Sequence, residues 1–253
     1  LLAGKSVATS NKALVAKHGA ELLAIAKEKN INFLYEASVG GGIPIIKNLK
    51  EIKEVSSISK ISGILNGTTN FILTKMFEGK SFDEALKIAQ EKGFAESDPT
   101  ADLEGYDMMR KIAILSDLAW DTLVDINLID HKGISDISLD MVEHAKNNNK
   151  VIKFVCEATL LEEQIKVEVK PKYFDDNHFF SNVNNEFNAV IIPLYNNPPQ
   201  LVYRNLLYTA VTRAKRLLVV IGSRETVANM TNNDRKTLRY TMLKGLLGCQ
   251  NDE

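Results

Sequence analysis

A long apolar helix is the feature of this sequence that most constrains its fold. The segment from Leu103 to Trp120 combines helical spacing with few charges. A helix that is apolar on most of its surface is buried, so the chain needs other elements to cover it. Asp107 and Lys111 lie four residues apart and therefore share one face of this helix. Because buried charges are costly unless paired, the two form either a structural salt bridge or a lysine held in place for proton exchange with a substrate.

Strands and helices alternate along the rest of the chain, which predicts an α/β or α+β fold. Ser10 or Asn11 is the expected N-cap of the first helix, and Ser81 with Glu84 has the spacing of a capping box. Asn66 and Gly67 predict a turn, followed by a helix over 71–77 that residues 68–70 cap. The other predicted strands cover 5–9, 31–35, 58–65, 151–160 and 164–169, and the other helices cover 13–27, 45–56, 81–91 and 140–148.

Composition sets limits on the class of protein. The chain has 253 residues, 45% of them hydrophobic and 25% charged, and a net charge of −1, which is ordinary for a globular protein with no polyanion partner. No apolar run reaches the roughly 18 residues of a membrane helix, so we expect no membrane association. Cys156 and Cys249 lack metal-site spacing, and a reducing cytoplasm is the expected compartment. The start at Leu1 without Met predicts that this end is internal to a longer protein.

Two loops are candidates for ligand binding. Asn11 and Lys12 stand where a strand ends and a helix begins, and a helix N-terminus with a lysine favours anions, although such lysines are mostly solvated. The loop from Glu36 to Pro44 contains three successive glycines. Its backbone forms either an ion or phosphate nest or a plain tight turn, and the sequence leaves both open.

Four motifs together carry a family resemblance. They are TSNKAL at 9–14, YEASVGGGIPI at 35–45, SGILNGTTNFIL at 62–73 and AESDPTADLEGYDMMRK at 95–111. In order and spacing they closely resemble the homoserine dehydrogenase family, and the match continues more loosely through 169–171 and 178–190. The resemblance covers residues 1 to about 190.

The resemblance implies roles for particular residues. Lys111 matches the proton-transfer lysine of the family, Asp107 the carboxylate beside it, and Glu96 the glutamate that binds the amino-acid part of the substrate. Lys12 and Ser10 match positions next to the cofactor. The positions that match a monovalent-cation site, mostly through backbone carbonyls and suited to sodium, are Glu36, Val39, Gly41 and Ile43.

The resemblance also implies an activity. It predicts NAD(P)-dependent interconversion of L-homoserine and L-aspartate 4-semialdehyde, a reaction of threonine and methionine biosynthesis, by a homodimer built through the sheet domain. The chain has no G-x-G-x-x-G turn of a dinucleotide-binding fold. Its first residues match the end of the family's cofactor domain, and the family's Gly-rich closing segment is absent. We therefore expect this chain to bind NAD(P) poorly by itself and to catalyse little, and the residues that choose NAD or NADP are not in it.

The C-terminal tail resembles a different family. From residue 200 onward the chain has nine Lys and Arg against four Asp and Glu. Residues 205–222 resemble the last conserved motif of RecD-like superfamily 1 DNA helicases, in which the arginine matching Arg213 contacts the ATP γ-phosphate. Residues 186–194 and 233–240 also fit that group. Strands over 189–194 and 217–222 and a helix over 202–214 would form a βαβ unit, and nucleic acid binding is expected only through this tail.

Three domains follow from these resemblances. Residues 1–30 are expected to be the remnant of a dinucleotide-binding (Rossmann) domain, 31–190 a mixed-sheet catalytic and dimerisation domain with helices on one face, and 191–253 a small helicase-like βαβ appendage. The linker-like residues 196–199 lie inside the tail rather than at the junction, so a recombined or misassembled gene is the interpretation of this arrangement. The alternatives to the dehydrogenase are a helicase fragment and a non-functional hybrid of the two.

Overall fold

The structure is a computed structural model that describes residues 1–41, 43–162, 164–183, 189–194, 217–222 and 224–233. It begins with a β-α-β unit: β1 (Val7–Ala8), α1 (Lys12–Glu28) and β2 (Phe33–Leu34). The two strands are parallel and pair only with each other among the described residues, and β2 lies beyond the predicted boundary at residue 30. Asn11, rather than Ser10, caps α1, since its Oδ1 accepts the Leu14 N–H at 3.0 Å.

A six-stranded mixed sheet forms the centre of the molecule, in the order β4-β6-β5-β3-β8-β7. Its strands are β3 (Lys60–Gly63), β4 (Asp130–His131), β5 (Lys150–Leu161), β6 (Gln164–Asp175), β7 (Ala189–Leu194) and β8 (Leu217–Gly222). The predicted strand at 58–65 is shortened to β3, whereas the hairpin β5–β6 pairs along its full length through residue 175. This mixed α/β architecture agrees with the predicted fold class.

The tail strands join this sheet. β7 and β8 are parallel, as a βαβ unit requires, but β8 also pairs antiparallel with β3, with Ile61 opposite Ile221. Within the described residues these strands therefore extend the sheet of the body instead of forming a separate appendage. α8 (Arg224–Asn232) follows β8. Arg213, residues 196–199 and the predicted helix at 202–214 lie outside the described residues.

The helices and one side of the sheet enclose the core. The remaining helices are α2 (Ile45–Val55), α3 (Gly67–Phe77), α4 (Phe82–Glu91), α5 (Thr100–Leu103), α6 (Tyr106–Trp120) and α7 (Leu139–Asn147). On β5, Ile152, Phe154 and Cys156 point to one side and are fully buried with the apolar residues of α6. The opposite side carries ion pairs such as Lys172 with Glu157 at 2.7 Å. In the described chain no helix is both long enough and apolar enough to cross a membrane.

Two helices differ from the prediction by more than one residue. The expected helix from Leu103 to Trp120 is divided at Gly105, which has a φ of 85° and separates α5 from α6. Glycine is required there because a Cβ would lie 2.8 Å from Cζ of Phe154. The helix predicted over 71–77 begins four residues earlier, at Gly67, because Asn66 itself is the N-cap.

Candidate active site

A carboxylate with two lysines occupies the place where α1 meets α6. Asp107, in the first turn of α6, accepts a hydrogen bond from Lys12 Nζ at 2.5 Å and pairs with Lys111 Nζ at 2.6 Å. Lys12 is the first residue of α1, so the packing of the two helices joins residues that are 95 positions apart. The side chains of Asp107, Lys111 and Lys12 are 7%, 17% and 40% exposed, respectively. The cluster thus opens to solvent on the side of Lys12.

Asn66 connects this cluster to the end of β3. As the N-cap of α3 it accepts the Thr69 N–H at 2.9 Å, while its amide nitrogen donates to Asp107 Oδ2 at 3.1 Å and to Asp102 Oδ1 at 2.7 Å. Neither Asn66 nor Asp102 is among the site residues predicted from the sequence. Both lie inside the family-like motifs, but Asn66 was interpreted as a turn residue, and the contacts join segments 36 and 41 residues apart.

The electrostatics keep the central carboxylate charged. Burial by itself raises the pKa of Asp107, but the charge and hydrogen bond of Lys111, together with hydrogen bonds from Lys12 and Asn66, hold it below its ordinary value. Lys111 Nζ also donates to the Leu65 carbonyl at 2.8 Å. An ammonium has three N–H groups, so one N–H of Lys111 is left for a further acceptor among the groups that the structure describes.

Two other predicted site residues make no contact with this cluster in the described chain. Glu96 is exposed on the loop after α4, where its backbone carbonyl accepts a hydrogen bond from Gln90 Nε2 at 3.2 Å. Ser10 is exposed just before the N-cap of α1. Both face solvent and are accessible to a ligand.

The glycine loop contains a tight turn and a helix cap. The Ile43 N–H bonds to the Gly40 carbonyl at 2.8 Å, and Gly40 has a φ of 61°. Glu36 caps α2 through its two carboxylate oxygens, which accept the N–H groups of Ile46 and Lys47 at 2.8 and 3.0 Å. Val39 is fully buried beside this turn. The described residues contain no cluster of three or more His, Cys, Asp or Glu side chains able to hold a metal ion.

Comparison with known proteins gives one family. Residues 44–205 match the family described as Homoserine dehydrogenase, fifteen residues past the predicted boundary at 190. The homoserine dehydrogenase of Bacillus subtilis is 47% identical over 189 residues, which are 74% of this chain and 44% of that protein. The NAD(+)-dependent homoserine dehydrogenase of Pseudomonas canavaninivorans is 43% identical over 188 residues, covering 74% and 53%.

A solved structure agrees with these relatives. The crystal structure of a homoserine dehydrogenase from Thiobacillus denitrificans is similar with a TM-score of 0.68 and 41% identity, over 72% of this chain and 42% of that one. The chain spans about half the length of the curated relatives it matches. The family match covers more than half of the chain, begins at the end of the glycine loop and includes Asp107 and Lys111. This chain therefore belongs to the homoserine dehydrogenase family.

Proposed function

We propose that this chain carries the substrate-binding and proton-transfer part of an NAD(P)-dependent homoserine dehydrogenase, which interconverts L-homoserine and L-aspartate 4-semialdehyde in threonine and methionine biosynthesis. The observation that carries the proposal is the cluster of Lys12, Asp107 and Lys111 between α1 and α6. Family membership supports it, as does the NAD(+) dependence in the name of the Pseudomonas canavaninivorans relative.

Lys111 is the proposed proton donor and acceptor. When bound, NAD(P) exchanges a hydride with the terminal carbon of the substrate. In the reducing direction the electron pair of the carbonyl double bond moves to oxygen, and Lys111 Nζ donates the proton that completes the alcohol. Asp107 orients this ammonium by its 2.6 Å contact, and the Leu65 carbonyl fixes it from a second side. In the oxidising direction Lys111 Nζ accepts the same proton, as the reverse of this step.

The accessible residues around the cluster fit the rest of the substrates. Lys12 is the most exposed member and lies at the N-terminus of α1, where helix polarity and a positive side chain favour an anionic group of the cofactor. Ser10 precedes it as an exposed hydroxyl. Glu96 offers a solvent-facing carboxylate for the ammonium of the amino acid.

A monovalent cation, sodium, is part of the proposal. Its ligands would be Glu36 and the carbonyls of Val39, Gly41 and Ile43. In the described chain no donor bonds to the Val39 or Gly41 carbonyl, and oxygen ligands of this kind suit hard cations. Replacing sodium by N-methylglucamine should lower the melting temperature, and Glu36→Gln should reduce that dependence. Equal melting temperatures in both salts would contradict the proposal of a sodium site.

The proposal includes a cytoplasmic homodimer built through the sheet domain. Its basis is the family resemblance, together with the long β5–β6 hairpin that lies in this sheet. Light scattering of the purified chain tests the dimer by its molar mass. A monomer at micromolar concentration would contradict it.

The activity is tested with the chain alone and with the chain joined to the N-terminal half of the Bacillus subtilis relative. Absorbance of the reduced cofactor reports oxidation of L-homoserine. We expect turnover in the joined protein, and Lys111→Ala should lower it by about 100- to 10,000-fold while cofactor affinity stays unchanged. Lys132→Ala is the matched control, since Lys132 is 64% exposed and pairs with Asp136 on the surface. Turnover retained in Lys111→Ala would show that Lys111 is only structural.

A further inference from the structure

A cavity lies between α1 and α6, apart from the cluster around Asp107. Its volume is about 400 Å³, within the range of sites for small organic molecules. One carboxylate that lines it, Asp117, follows Asp107 by ten residues on α6, or about 15 Å at the rise of an α-helix. The walls are mostly apolar and include Val15, Gly19, Leu23, Ile114, Leu118 and Leu123.

Asp117 is the unusual member of this cavity. Its carboxylate accepts the Val124 N–H at 2.7 Å, and in the described part of the chain no Lys, Arg or His comes within salt-bridge distance of it. Burial among apolar side chains raises its pKa to about 6, against which the Val124 hydrogen bond acts. At neutral pH the cavity thus contains an ionised carboxylate with one neutral donor.

The charged groups around the cavity are engaged elsewhere. Lys53 pairs with Asp121 at the rim and donates to the Leu118 carbonyl at 2.9 Å. Lys50 lies over the ring of Tyr35, 5.1 Å from its centroid. Tyr35 lines the cavity. Burial raises the pKa of Tyr35, and the negative charge of Asp117 raises it further. Neither lysine neutralises Asp117, so the cavity favours a cation supplied from outside.

We propose that this cavity binds a primary alkylamine, with its ammonium group on Asp117 and its aliphatic chain against the walls formed by α1 and α6. A charge-assisted hydrogen bond to a partly buried carboxylate is stronger than one between neutral groups. The apolar walls exclude water from the aliphatic part of the ligand. The same two helices bring Lys12 to Asp107, so a bound amine would stabilise the packing of α1 against α6 that forms the cluster.

Calorimetry with n-pentylamine tests this inference on the full chain, with 1-pentanol as the uncharged probe of similar shape. We expect saturable one-to-one binding of the amine and weaker binding of the alcohol. Asp117→Asn should lower the affinity for the amine by about tenfold, because the substitution removes the charge and keeps an acceptor for the Val124 N–H. Affinity should also decline as the pH falls below 6, where Asp117 takes up a proton.

Asp136→Asn is the matched control, since Asp136 carries the same charge on a 79% exposed side chain and does not line the cavity. It should bind the amine like the unaltered chain. Circular dichroism verifies that each variant is folded. Equal affinity of Asp117→Asn and the unaltered chain, equal affinity for amine and alcohol, or no saturable binding at millimolar amine would each overturn the proposal. These outcomes do not depend on dehydrogenase activity.

Discussion

Replacing Asp117 by Asn should stabilise the protein at neutral pH. Burial raises the pKa of Asp117 from its ordinary 3.8 to about 6, so folding disfavours the ionised carboxylate. Below pH 4 the carboxyl is protonated in both the folded and the unfolded state and costs no stability. The unfolding free energy then falls as the pH rises from about 4 to about 6. A difference of about two pKa units corresponds to about 3 kcal/mol of lost unfolding free energy at full burial, and because Asp117 is only partly buried, screening by solvent reduces this loss. Asparagine cannot ionise and escapes this loss.

One contact limits the pKa shift. The Val124 N–H donates to the Asp117 carboxylate at 2.7 Å and lowers its pKa, so the value of about 6 already includes this bond. After the reduction by solvent screening, we expect an increase of about 2 kcal/mol in the unfolding free energy at pH 7.5. At pH 4 the carboxyl of the unaltered chain is mostly protonated, so the two proteins should differ by less than about 1 kcal/mol.

Urea unfolding followed by circular dichroism measures both values. The pH dependence of the difference is the decisive readout, because a simple packing change would shift stability equally at both pH values. Asp121→Asn, at the exposed rim, should show little change at either pH. The reasoning would be refuted if Asp117→Asn were less stable than the unaltered chain at pH 7.5, or if its effect were the same at pH 4.

Two further substitutions test the helix boundaries that position the site. Gly105→Ala should lower the unfolding free energy by about 2–4 kcal/mol, because alanine disfavours a φ of 85° and its Cβ would lie 2.8 Å from Phe154; a loss below about 1 kcal/mol in urea unfolding would contradict this account. Ser81→Ala should cost about 1 kcal/mol, because Ser81 Oγ accepts the Glu84 N–H at 3.2 Å in a complete capping box. Thermal unfolding measures that loss, with Ser97→Ala, at an exposed loop position, as a control that should change the melting temperature less.

The cluster around Asp107 divides into a local and a long-range part. The contact of Asp107 with Lys111 was predictable from their spacing, because residues four apart on a helix meet whatever the rest of the fold does. The contact with Lys12 bridges 95 residues and depends on how α1 packs against α6. Periodicity carries no information on such packing, and only the family resemblance placed Lys12 near the site.

Helix starts show how local signals compete. Asn66 and Gly67 are typical of a turn, but Asn is equally a good N-cap, and here its Oδ1 accepts the Thr69 N–H and opens α3. The choice between the two depends on the acceptors around its amide, Asp102 and Asp107, which lie far along the chain. The role of Gly105 was hidden for the same reason, since the ring of Phe154 that excludes a side chain there belongs to β5.

The tail separates what the sequence determined from what the tertiary structure decided. Strands at 189–194 and 217–222 were predicted, and the structure confirms both, since short apolar segments of this length favour strands. The helicase resemblance, Arg213 and the three domain boundaries stay predictions. Sequence alone did not reveal that β8 pairs with β3, because the backbone hydrogen bonds between strands are the same whatever the side chains are. Which edge of the sheet a strand joins is decided by the packing of the whole chain.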